Sequence, residues 1–151
     1  MKKILIIDDE KDIRNNIKAI LNDENYLTNT AENSDDALEL IKKDNFDLII
    51  LDVWLNDSTL DGIELLKILK KLYYDIPVII ISGHGNIEMA VDAIKEGAQE
   101  FIEKPFSSER LILSVSRSLE VAQIKYENQK LKEKDIYDYQ FIGNSQSIQK
   151  I

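Results

Sequence analysis

Four places in this 151-residue chain carry side chains that could act together on a phosphoryl group: the pair Asp8-Asp9 that opens the run Asp8-Asp9-Glu10, then Asp52, Ser82 and Lys104. Each closes a short strand-like run. The run Leu48-Ile49-Ile50-Leu51 before Asp52 is apolar throughout, as in a strand buried on both faces, so the Asp52 carboxylate stands at a strand's carboxyl end. Open α/β sheets keep their ligands there. Three carboxylates in one crevice resist ionising together unless a cation is near. Oxygen ligands without His or Cys suit magnesium, or manganese, which take one or two carboxylates plus phosphate oxygens. A carboxylate can attack phosphorus to give an acyl phosphate. Ser82 can donate a hydroxyl hydrogen bond, and Lys104 can bring a point charge to a carboxylate or a phosphoryl group. Taken singly, each feature also reads as ordinary structure: a turn aspartate, a solvated helix start, a Ser-Gly turn, a Lys-Pro strand exit. What joins them is their position at the carboxyl ends of four different strands.

The elements that would position them alternate. Ile13, Ile17, Ile20 and Leu21 give a helix with one apolar face after the first strand. Tyr26 to Ala31 is a mixed strand, and Ser34 is expected to cap a helix buried through Ala37, Leu38 and Ile41. After Asp52 a polar loop, Asn56 to Thr59, leads to Gly62 and a helix with Leu65, Leu66, Leu69 and Leu72 inward. Val78 to Ile81 is the fourth strand, and Asn86 can cap a helix buried through Ile87, Ala90, Val91 and Ile94, with Gly97 as its stop. Glu100 to Glu103 is the fifth strand, and a long helix begins at Ser107. Five strand-helix alternations imply parallel strands joined by right-handed crossovers. The wholly apolar first, third and fourth strands should be central and the mixed second and fifth should be edges. The expected fold is a doubly wound α/β sheet of order 2-1-3-4-5, flavodoxin-like or CheY-like, with an extended C-terminal linker helix.

Composition narrows the chemistry. With no cysteine, disulfides, thiol catalysis and Cys-type metal sites are excluded. Met1-Lys2-Lys3 and the few apolar residues after it are too short for a signal peptide or a membrane span, so a cytoplasmic protein without membrane contact is expected. Residues 1 to 105 hold 22 acids and 12 bases, a net charge of -10, whereas residues 106 to 151 hold 6 acids and 7 bases, or +1. The acidic part should repel nucleic acid, so no direct nucleic-acid contact is expected.

At Asp8-Asp9, Asp52, Ser82, Phe101 and Lys104-Pro105 the chain resembles the receiver domain of bacterial two-component response regulators, over about Lys2 to Glu120. The resemblance implies a sensor histidine kinase as partner and Asp52 as the phosphoacceptor, in a domain that is not itself an enzyme. It implies a Mg2+ or Mn2+ site made by Asp8, Asp9, Asp52 and the Trp54 backbone carbonyl. Ser82 would follow the phosphoryl group, Phe101 would be the aromatic switch, Lys104 would contact the phosphoryl group, and the Lys104-Pro105 bond would be cis. Gly62 lies ten residues after Asp52 where this family commonly has eight, so the intervening loop carries a two-residue insertion. Trp54 and His84 each sit two residues beyond a phosphoryl-contacting position and are expected to screen the attacking water and slow self-dephosphorylation. His84, between two glycines, reads otherwise as a loop residue.

The last helix is expected to reach about Lys134, first through Ile112, Val115, Leu119 and Ala122 and then through a seam of Val121, Ile124, Asn128 and Leu131. Asn at an a-type position suits a parallel dimer in fixed register. The expected organisation is a receiver at 1 to 120, a linker helix and short coiled coil at 121 to 138, and at 139 to 151 a stub resembling the start of an AAA+ ATPase domain. No Walker A motif is present. With that stub the likeness is to the NtrC family, closest to its NtrX branch, and the 151 residues read as a piece of a regulator of alternative-sigma-factor transcription. A homodimer through the last helix or the fourth-helix face is expected. The competing readings are a stand-alone receiver serving as a phosphorelay or adaptor module, and an aspartyl-nucleophile phosphohydrolase. Against the latter, no Asp-x-Asp follows the first strand.

Overall fold

The computed structural model describes residues 1–55, 60–83 and 87–143, with residue 87 and residues 129–143 described in the backbone alone. Five strands and five helices alternate: β1 (Lys3–Ile7), α1 (Lys11–Asp23), β2 (Leu27–Ala31), α2 (Ser34–Lys43), β3 (Leu48–Asp52), α3 (Gly62–Leu72), β4 (Val78–Ser82), α4 (Ile87–Lys95), β5 (Glu100–Glu103) and α5 (Ser108–Gly143). The sheet is parallel, in the order β2-β1-β3-β4-β5. Because β1, β3 and β4 are interior, alternate residues of each enter one of two cores. Leu5, Ile7, Ile49, Leu51, Val78 and Ile80 pack with α2 and α3 on one face. Ile4, Ile6, Leu48, Ile50, Ile79 and Ile81 pack with Ile17 and Leu21 of α1 and Leu111 and Val115 of α5 on the other. Apolar runs without alternation are what such two-faced burial requires.

The start of β1 is clamped at the amino end of the sheet. The Lys3 N–H donates to Asp47 Oδ2 at 2.8 Å, its ammonium pairs with Asp44, and its Nζ lies 5.8 Å from the centre of the Phe46 ring.

Several expectations from periodicity are corrected. Asn33, not Ser34, caps α2, its side chain accepting from the Asp36 N–H at 2.9 Å; Ser34 is the first helical residue and fully buried. Leu72 is exposed, because α3 meets the sheet through Leu65, Leu66 and Leu69 and ends there. On α4, Ala90 and Ala93 face the core while Val91 and Ile94 are exposed, since small side chains bring a helix closest to a sheet. On α5 the inner face includes Leu111, Ser114 and Ser118, which replace the expected Ile112 and Ala122, and the helix extends to Gly143, beyond Lys134. Loop residues 56–59 and 84–86, including His84 and the proposed Asn86 cap, lie outside the described residues, as do residues 144–151 of the stub and the side chain of Leu131.

By internal contacts the chain divides into Met1–Leu119 and Glu120–Ile151. In the second unit the described residues are helical, with Ile124 and Tyr126 exposed. Among the described residues no helix is long and apolar enough to cross a membrane.

Candidate functional site

The carboxyl ends of β1, β3, β4 and β5 bring Asp8, Asp52, Ser82 and Lys104 to one edge of the sheet. Asp52 is the last residue of β3 and only 3% exposed. Its Oδ1 accepts from the Trp54 N–H at 3.2 Å, and its Oδ2 lies 3.3 Å from Lys104 Nζ. The same ammonium is 3.2 Å from Asp8 Oδ2 and 3.5 Å from Glu10 Oε1. The backbone of Lys104 is tied to β4, its N–H donating to the Ser82 carbonyl at 2.7 Å, and the peptide bond to Pro105 is cis, as expected. Ser82 is buried at the end of β4.

Asp8 is held more tightly than a turn residue needs to be. Its N–H donates to the Ala31 carbonyl at 3.1 Å, and its Oδ1 accepts from the Glu10 N–H at 2.9 Å, an Asx turn. Its carbonyl accepts from Arg14 Nη1 at 2.8 Å. Its Oδ2 is fully buried and makes no hydrogen bond of good geometry, leaving the Lys104 ammonium as its described polar neighbour. Oxygens from Asp8, Asp9, Glu10 and Asp52 all lie within 4.8 Å of one another. A buried carboxylate oxygen without a hydrogen bond, among the oxygens of four acids with one lysine ammonium beside them, fits a hard divalent cation.

The electrostatics follow from this crowding. Asp52 is pushed up to about 7, first by burial and then by the charge of Asp8, with Lys104 and the Trp54 N–H opposing. Asp8 is raised too, by burial first, against the pull of the Glu10 N–H and Lys104. Burial works against the Lys104 ammonium, but Asp52 and Asp8 outweigh it and hold its pKa above the ordinary lysine value. A carboxyl group whose folded pKa exceeds its unfolded value of 3.8 binds more protons in the folded state, so it costs stability as pH rises from about 4 to about 7. In metal-free buffer the loss from Asp52 should be roughly 2 to 4 kcal/mol. Urea denaturation in EDTA at pH 4.5 and pH 8 checks this: Asp52→Asn should show a flatter profile and the higher midpoint at pH 8. Equal losses in the two proteins would assign the effect elsewhere.

The remaining expected positions are less central. Trp54 is 52% exposed and follows Asp52 by two residues, and Phe101, at 37%, lies on the edge strand with its carbonyl 3.3 Å from Arg110 Nη2. Three residues near the site were not anticipated. Glu10 joins the acid cluster, and its adjacency to Asp8-Asp9 was the available signal. Arg14 reaches back to a main-chain carbonyl, which leaves no side-chain signature. Ser34 Oγ accepts from the Leu60 N–H at 3.1 Å, tying the far end of the post-Asp52 loop to α2.

Comparison with known proteins decides the family. The response regulator receiver domain matches residues 4–116. The chain belongs to the response regulator receiver family. This receiver is 49% identical over 142 residues to an NtrX-like response regulator of Rickettsia bellii, covering 94% of the chain and 30% of that relative. The receiver domain of NtrX from Brucella abortus superposes with a TM-score of 0.77 at 52% identity, over 78% of this chain and 98% of that one. The beryllofluoride-activated NtrC4 receiver domain dimer gives 0.75 at 43%, over 81% and 99%. The chain is thus an NtrX-type receiver with the 2-1-3-4-5 sheet, spanning about a third of the length of its full-length relative.

Proposed function

We propose that Asp52 accepts a phosphoryl group from a histidine kinase and that the receiver thereby switches an output lying elsewhere in the intact regulator. The observation that carries this is the convergence on the buried Asp52 carboxylate of Lys104, at 3.3 Å, and of an acid cluster within 4.8 Å. One Asp52 oxygen attacks phosphorus, the bond from phosphorus to the donor histidine nitrogen breaks, and an acyl phosphate forms. Asp8, Asp9, Asp52 and the Trp54 carbonyl would hold Mg2+ or Mn2+. Bound there, the cation neutralises the acids and withdraws charge from phosphoryl oxygens. Lys104, already beside Asp52, pairs with the incoming charge, Ser82 donates its hydroxyl to the phosphoryl group, and Phe101 leaves its half-exposed position as that hydroxyl moves. The reading extends to an AAA+ output acting on alternative-sigma-factor promoters, supported by the likeness to NtrX-type regulators. Pairing of two copies is supported by the exposed Val91 and Ile94 of α4, by the exposed Ile124 of α5 and by the dimeric NtrC4 receiver.

The test is mass spectrometry after incubation with acetyl phosphate and Mg2+. Wild type should gain one phosphate-sized mass increment and Asp52→Asn none; no gain in wild type, or an equal gain in both, would overturn the assignment.

A further inference from the structure

The turn Asp8-Asp9-Glu10 places three like charges on consecutive residues, and their repulsion favours splaying them into solvent. Besides the ion pairs to Lys104, three hydrogen bonds at Asp8 hold the turn at the sheet edge. One joins two main-chain groups that any sequence supplies, Asp8 N–H to the Ala31 carbonyl, and one closes the Asx turn through the Asp8 side chain, Glu10 N–H to Asp8 Oδ1. The third is Arg14 Nη1 to the Asp8 carbonyl, at 2.8 Å the shortest of them, and it comes from a side chain outside the acid cluster.

Arg14 is badly placed to serve its own helix. It is the fourth residue of α1, near the positive end of the helix dipole, where a cation is disfavoured. Its side chain is largely buried at 14% exposure, and its nearest described acidic partner, Glu32 Oε2, is 4.0 Å from Nη2. A guanidinium withdrawn from water usually takes a carboxylate in a bidentate fork. Here one arm goes to a neutral carbonyl of the acid turn and the other leans toward the residue that follows β2. The first hydrogen bond of α1 also starts from this turn, with the Arg14 N–H donating to the Glu10 carbonyl at 3.1 Å. Arg14 therefore grips the turn at both ends, Asp8 by its side chain and Glu10 by its backbone.

We propose that Arg14 is a positioning residue for the divalent-cation site: by holding the Asp8 carbonyl it fixes the turn that presents Asp8 and Asp9 beside Asp52, and so sets metal affinity. This rests on the reading that the acid cluster takes a divalent cation. A partner one shell behind a ligand typically changes metal affinity about 10- to 100-fold when removed. The opposite sign would follow if the arginine acted only through its charge, since losing a cation would tighten binding of another cation.

The test uses the whole 151-residue chain and MgCl2 alone, read by calorimetry and by the emission of Trp54, the only tryptophan, whose backbone N–H donates to Asp52 Oδ1. Arg14→Met should weaken Mg2+ binding by about 10-fold or more. Arg14→Lys, which keeps the charge but loses the planar donor, should also weaken it, by less. The acetyl-phosphate reaction of both variants should return to the wild-type rate at saturating Mg2+, a split that a general loss of structure would not give. Arg117→Met, on the outer side of α5, controls for loss of an arginine elsewhere. Should Arg14→Met not fold, Arg14→Gln, a polar but uncharged side chain without the reach of the guanidinium to the Asp8 carbonyl, takes its place. Unchanged or tighter Mg2+ binding in Arg14→Met, wild-type affinity in Arg14→Gln, or a rate that saturating Mg2+ fails to restore would overturn the proposal. Absence of Mg2+ binding in the wild type would instead overturn the metal reading on which it stands.

Discussion

Gly62→Ala is expected to destabilise the domain by about 3 kcal/mol or more, at the upper end for an overpacked site. A Cβ at residue 62 would lie 2.4 Å from the carbonyl oxygens of both Asp52 and Val53, and 2.6 Å from Val53 Cα. These neighbours are backbone atoms, and they cannot yield cheaply. Val53 is tied to β4 by its N–H to the Ile81 carbonyl at 3.0 Å, and the Gly62 N–H returns to the Val53 carbonyl at 3.1 Å. Moving α3 outward instead would pull on the capping box of Asp61 and Glu64. Gly97→Ala is the contrast. Its φ of +108° strains any L residue, but the nearest atoms belong to the Lys70 side chain, at 3.2 Å, and not to backbone, so the cost should be about 1 to 2 kcal/mol. Urea denaturation of the two variants side by side checks the ranking, and a smaller loss at residue 62 than at residue 97 would contradict the close approach.

Lys104→Met is expected to cost about 3 kcal/mol at pH 8 in metal-free buffer, because removing one partner of a buried ionic cluster leaves the others uncompensated. The ammonium now stands within 3.5 Å of Asp8, Glu10 and Asp52. Without it, the pKa of Asp52 should climb further above 7, so the stability lost on raising pH would extend over a wider window. At pH 4.5, where the buried carboxyls take up protons, the variant should approach wild type. Millimolar Mg2+ should restore most of the loss at pH 8, since a ligand that binds only the folded state stabilises it by mass action. Denaturation midpoints at both pH values, with and without Mg2+, give all four comparisons. A loss independent of pH and Mg2+ would mean that Lys104 acts by packing its methylenes.

The sheet was legible because its interior strands are apolar at every position and its edge strands are not. The convergence of Asp8, Asp9, Asp52 and Lys104 was legible because each stands just past or at the end of a strand-like run, apolar before Asp8 and Asp52 and mixed before Lys104. Helix orientation was harder. In α4 the period of 3.6 offers two faces, and the small Ala90 and Ala93 win the sheet although Val91 and Ile94 are the more hydrophobic pair. The choice of cap between Asn33 and Ser34 is similarly degenerate, as both residue types accept from backbone N–H groups. Arg14 and Ser34 stayed hidden for a different reason. Their partners are the Asp8 carbonyl and the Leu60 N–H, groups that every residue possesses.

The clamp on Lys3 has a practical side. With β1 interior to the sheet and its first residue fastened to Asp44, Asp47 and Phe46, the start of β1 lies at the end of the sheet opposite Asp52. Met1 is exposed there, and a five-residue strand places about 16 Å between it and the site edge. A fluorophore or surface tether joined ahead of Met1 therefore leaves the acid cluster open to kinase and cation, making this terminus the natural handle for immobilised binding measurements.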